Sequence, residues 1–104
     1  MVYNLIITEK ADEHIDSLAG YLLAKLKNPQ AAGNFLSEIE GIYDRLEDNP
    51  YQFPISSDKY LALKDYREAH FQKMSYKIVF RIEDKVVYVV GVFHDLEDYA
   101  KKVL

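Results

Sequence analysis

The spacing of apolar side chains divides the chain into six segments and a tail. Val2 to Ile7 is a short apolar run, with Tyr3, Leu5 and Ile7 on one face and Asn4 and Ile6 on the other. Its β-branched content predicts a strand buried on much of both faces. From Thr8 the period changes. Ala11, Ile15, Leu18, Leu22 and Leu26 recur at three and four residues, which predicts an amphipathic helix with Thr8 as its cap and Glu9, Asp12 and Glu13 near its positive end. Asn28-Pro29 opens a second helix carrying Ala32, Phe35, Ile39, Ile42 and Leu46 on one face, and Asn49-Pro50 ends it. So short a link makes the two helices an antiparallel hairpin.

Residues 51–64 read as a loop, because Pro54, Ser56, Ser57 and Asp58 break any period. Three strand-like runs follow. Tyr66 to Phe71 is the weakest; Met74 to Ile82 alternates, with Tyr76, Ile78, Phe80 and Ile82 opposite Lys77, Val79 and Arg81; Val86 to Phe93 is nearly all apolar, as in a central strand. Gln72-Lys73 and Glu83-Asp84 fall at the hairpin turns, and Asp95 to Leu104 is a tail with room for one or two helical turns. The order β-α-α-β-β-β predicts a two-layer α+β fold. The helical hairpin packs on one face of a mainly antiparallel sheet, with a short C-terminal helix, and the opposite face stays free for a companion protein.

With 104 residues, the expectation is one domain over 1–104. The chain has no cysteine, so neither disulfides nor thiolate zinc sites hold it, and His14 and His70 lack partners at metal-ligand spacing. No cofactor and no metal are expected. The longest apolar stretch is too short to span a bilayer, and no signal-peptide pattern opens the chain, so a cytoplasmic address and no membrane contact are expected. Net charge is −4, which removes any global field attracting nucleic acid. The cations instead gather locally, as Lys59, Lys64, Arg67, Lys73, Lys77 and Arg81. Tyrosine is abundant, nine in all, and Tyr21, Tyr43, Tyr51, Tyr60, Tyr66 and Tyr99 do not all fit core faces, as in a surface covered by a partner protein.

Several ordered features together resemble the RelE/ParE family of bacterial toxins. They are Tyr3 to Ala11, Asn28 to Ala32, Asn49-Pro50 with Pro54, Tyr66-Arg67, Tyr76 to Ile82, Val86 to Val92, His94 and Asp98-Tyr99. The resemblance implies the toxin component of a type II toxin–antitoxin system, neutralised by a cognate antitoxin and forming oligomers only with it. In the RelE branch such toxins cleave messenger RNA in the ribosome; in the ParE branch they block DNA gyrase and are not nucleases.

Carried onto this chain, the basic positions of the RelE branch fall on Arg67 and Ala69 in the second strand, on Lys77 in the third, and near His94-Asp95 after the last. One basic position is thus an alanine and another an acid. Lys77 also gives up the two-pronged phosphate grip of an arginine. The candidate catalytic residues are Arg67, Lys77, Arg81 and His94. Alternation allows Arg67 to join Lys77 and Arg81 in a basic patch across the hairpin. The plainer reading makes them solvated charges or partners of Glu68 and Glu83. His94 suits proton transfer near neutral pH; the plainer reading, which we favour, has it bonded to backbone or to Asp98, holding the tail. The expected function is therefore ParE-like inhibition by binding. The alternatives are a ribosome-dependent endoribonuclease and a non-toxic binding module of the same fold.

Overall fold

The computed structural model describes residues 2–103, so Met1 and Leu104, the ends of the expected domain and tail, lie outside the described residues. The elements are β1 (Asn4–Ile7), α1 (Glu9–Gly20), α2 (Pro29–Asp48), α3 (Lys59–Leu63), β2 (Tyr66–His70), β3 (Tyr76–Glu83), β4 (Val86–His94) and α4 (Ala100–Val103). The sheet runs β1-β4-β3-β2, with β1 parallel to β4 and the other pairs antiparallel. This is the expected α+β architecture, with the helical hairpin on one face.

Local chemistry sets the helix ends. The Thr8 hydroxyl accepts from the Ala11 amide at 3.1 Å, and the Asn28 side chain accepts from the Ala31 amide at 3.0 Å ahead of Pro29. Each cap satisfies an amide that the helix itself leaves unpaired. The first helix does not continue regularly to Leu26. It widens into a π-helical turn at Tyr21–Lys25, closed by Leu26 N–H donating to the Tyr21 carbonyl, and Leu22 is the buried residue of that turn. Lys27, with φ of 49°, then ends it. The buried face of α2 is Ala32, Phe35, Ile39, Ile42 and Leu46, as the spacing predicts. It meets Ile78, Phe80, Val87, Val89 and Val92 of the sheet in the main core.

Three further expectations change. β1 is an outer strand of four residues with Asn4 and Ile6 exposed, because none of the described residues covers its far side. The stretch 51–64 is not all loop: Asp58 accepts from the Leu61 amide at 2.9 Å and starts α3, which buries Leu61 completely. The far face of the sheet is not left free along its whole length. Leu61 from α3 and Tyr99 from the tail cover Val79 and Phe93 in a second, smaller core, with Ala100 and Val103 packed beside them.

β4 changes phase halfway. Val79 pairs with Gly91 but Phe80 pairs with Val89, so Val90 is the extra residue of a bulge. Pairing with β1 stops at Ile7 and Val89, just before it. Beyond that point α1 lies along the strand, and His14 Nδ1 accepts from the Val92 amide at 3.4 Å.

Candidate functional site

Register decides which chemistry shares a face. A five-residue connection, 71–75, joins β2 to β3, and the pairs run Tyr66–Arg81, Arg67–Phe80, Glu68–Val79, Ala69–Ile78 and His70–Lys77. Odd residues of β2 therefore stand opposite even residues of β3. Arg67 and Ala69 lie on the hairpin side with Phe80 and Ile78, while Glu68 and His70 lie on the far side with Val79 and Lys77. The expected patch of Arg67, Lys77 and Arg81 does not form, because one residue of register exchanges every side chain between faces.

On the far side the alternation brings together a buried polar group that spacing alone did not reveal. The Glu68 carboxylate accepts from the Ser56 hydroxyl at 2.7 Å, from the Ser57 amide at 3.2 Å and from the Tyr99 hydroxyl. His70 Nε2 lies 3.1 Å from its other oxygen, and His70 Nδ1 is 3.7 Å from Asp95. Lys77 is 5% exposed, with its ammonium 3.7 Å from the centre of the Tyr99 ring. A carboxylate and an ammonium removed from water need such partners. Burial alone would raise the Glu68 pKa, but the hydrogen bonds from Tyr99, Ser56 and His70, with Lys77 nearby, lower it below the ordinary value. Burial and the adjoining Glu68 raise that of Tyr99, so the proton stays on the phenol. The arrangement pins the tail to β2 and the loop before α3.

The other candidates are dispersed. Arg67 donates to the Phe53 carbonyl at 2.7 Å and stacks 5.0 Å from the Tyr51 ring. Arg81 pairs with Glu83 at 3.2 Å and lies 5.8 Å from the Tyr88 ring. His94 stands edge-on to Tyr76; its Nδ1 accepts from the Leu96 amide at 3.1 Å, and its own amide donates to Glu97 at 2.9 Å. Its partners are thus backbone and Glu97, rather than Asp98. Among the described residues no three His, Asp or Glu side chains gather as metal ligands. Among those residues no helix is long and apolar enough to cross a membrane.

Glu68, Ser56, His70 and Tyr99 are the residues that sequence reading missed as a group. Tyr99 is buried, whereas Tyr21, Tyr51 and Tyr60 are exposed and Tyr43 and Tyr66 intermediate. The one available signal was Glu68 itself, an acid at the position of β2 that alternates with the hairpin-facing residues.

The family model for the ParE toxin of the type II toxin–antitoxin system parDE matches residues 5–99. The chain belongs to this family. It is therefore a toxin of a type II toxin–antitoxin system, of the ParE/RelE kind that its sequence resembles. Among solved structures it is similar to a chain of the chromosomal ParDE toxin–antitoxin system from P. aeruginosa. The TM-score there is 0.73 at 17% identity, covering 89% of this chain and 96% of that one. It is also similar to a chain of the RelBE2 toxin–antitoxin complex from Mycobacterium tuberculosis, with TM-score 0.62, 19% identity and coverage of 90% and 99%. No curated protein matches the sequence significantly. At such identities the structural likeness carries the fold, and the family match carries the membership.

Proposed function

We propose that this ParE-family chain is a cytoplasmic toxin that arrests growth by binding its target, DNA gyrase, without cutting RNA. An antitoxin encoded beside it would hold it inactive. The observation that carries this reading is the separation of Arg67 from Lys77 by the sheet itself. Cleavage of a phosphodiester needs donors and cations converging on one phosphate. Here Lys77 lies under Tyr99, Arg81 is engaged by Glu83, and Arg67 faces the other way. The match to a ParE family, rather than to a nuclease family, supports the same side. Both solved neighbours come from toxin–antitoxin assemblies, which supports an antitoxin partner.

The test is induced expression with and without the product of the neighbouring open reading frame, scoring growth, supercoiling and RNA together. The expected outcome is growth arrest with altered DNA topology and intact message, relieved by the neighbour. Cuts at codon positions in ribosome-bound message, lost in Arg67→Ala and Lys77→Ala, would establish the endoribonuclease instead. Unaltered growth would leave a binding module of the same fold.

A further inference from the structure

Beyond the C-terminal end of α2 a row of alternating cations and aromatic rings lies at the surface. The Lys85 ammonium is 5.4 Å from the centre of the Tyr3 ring, Tyr3 meets Tyr51 edge-on at 6.3 Å, and the Arg67 guanidinium lies 5.0 Å from Tyr51. The four residues come from the start of the chain, the turn after α2, β2 and the β3–β4 turn, so the row exists only in the folded protein. Tyr51 is 54% exposed and Ile55 beside it 42%. Next to them a cavity of about 210 Å³ opens, lined by Tyr51, Ile55, Asp65, Arg67 and Ile82. Among the described residues neither Arg67 nor Lys85 has a carboxylate within ion-pair distance.

Exposed rings carrying uncompensated cations fit two kinds of ligand: single-stranded nucleic acid and an acidic peptide. Charge separates them. A nucleic acid brings a phosphate at every nucleotide to a protein of net charge −4, and Asp65 stands in the cavity wall while Glu83 and Asp84 precede Lys85. A peptide can place its acids only where the two cations stand and an apolar side chain between them. We propose that this row receives an acidic, apolar segment of the antitoxin. Its carboxylates meet Arg67 and Lys85, and one apolar side chain enters the cavity above Ile82. The assignment rests on the antitoxin reading above and adds the place and chemistry of contact.

The experiment uses the full chain and the co-expressed product of the neighbouring open reading frame, with affinity measured at two salt concentrations. Lys85→Glu and Tyr51→Ala, both at exposed positions, are expected to weaken the complex at least about tenfold each while leaving the melting temperature of the free chain unchanged. The wild-type complex is expected to weaken with salt, and the Lys85→Glu complex to do so less. A complex that forms equally well with both variants overturns the docking row and leaves the antitoxin reading intact. Failure of the wild-type chain to form any complex overturns the antitoxin reading, and the row with it. Binding of oligodeoxythymidylate that both variants abolish would assign the row to nucleic acid and overturn the proposal.

Discussion

The Tyr99 hydroxyl donates to the Glu68 carboxylate across the far face of the sheet, joining the last stretch of the chain to β2. Tyr99 also roofs Lys77, so a phenol, a carboxylate and an ammonium are buried as one unit. Tyr99→Phe keeps the ring over Lys77 and removes only the donor. It is expected to lower the unfolding free energy by about 1.5–3 kcal/mol, as for a hydrogen bond to a charged group. Urea denaturation measures this, and amide exchange in 97–103 should accelerate. A change below about 0.5 kcal/mol would show that the tail is held by its apolar contacts alone.

Three groups set the response to acid: His14, Glu68 and Glu97, the last with its pKa lowered, against the effect of burial, by hydrogen bonds from Lys102 and the His94 amide. Burial, with Lys10 nearby, lowers the His14 pKa from 6.5, so the unfolded chain takes up this proton first. That contribution to stability is complete above pH 6.5 and declines as pH falls toward the folded value. The Glu68 pKa is lowered from 4.5, so its contribution is present above pH 4.5 and is lost as pH falls toward the folded value. Urea midpoints are expected to fall in two stages, with His14→Gln removing the upper one. A His14→Gln profile that superimposes on wild type would assign the upper stage elsewhere.

Gly91 is required by its neighbours. A Cβ there would stand 2.5 Å from Phe93 Cε2 and 3.0 Å from His14 Nδ1. The Phe93 ring is 1% exposed and has no room to swing away. Gly91→Ala is expected to cost about 1–3 kcal/mol, the range for overpacking a core. Thermal melting should show it as a clear drop; an unchanged midpoint would mean the ring shifts freely.

The Tyr43 hydroxyl is buried without a hydrogen-bond partner among the described residues, and burial, followed by the charge of Asp12, pushes its pKa up to about 12. Tyr43→Phe removes the stranded group and keeps the ring. Stability should rise by up to about 1 kcal/mol in urea unfolding, and a loss instead would reveal a water-mediated role for the hydroxyl.

Much of the architecture was legible in the sequence because two periods were clean. Phe35, Ile39, Ile42 and Leu46 could only be one helical face, and Tyr76, Ile78 and Phe80 only one strand face. Register was not legible, since the relation of Arg67 to Lys77 depends on how a connection closes, not on either strand's pattern. The phase change at Val90 was hidden for a similar reason: in an unbroken apolar run, every alternation looks alike. Tyr99 looked like a surface aromatic because its burial comes from contacts with residues about thirty and forty positions away, Glu68 and Ser56. Asp58 and Leu61 did carry the signature of a capped turn, masked by the prolines and serines before them.

The bulge at Val90 has a consequence for how copies of this molecule meet. It ends the parallel pairing early and yields the remaining rim of β4 to α1, where an imidazole takes the Val92 amide that another strand would otherwise claim. Bare rims recruit one another into stacks. A rim closed by a helix and a histidine offers no such template, so crowding of like molecules is resisted at the middle of the sheet's longest strand.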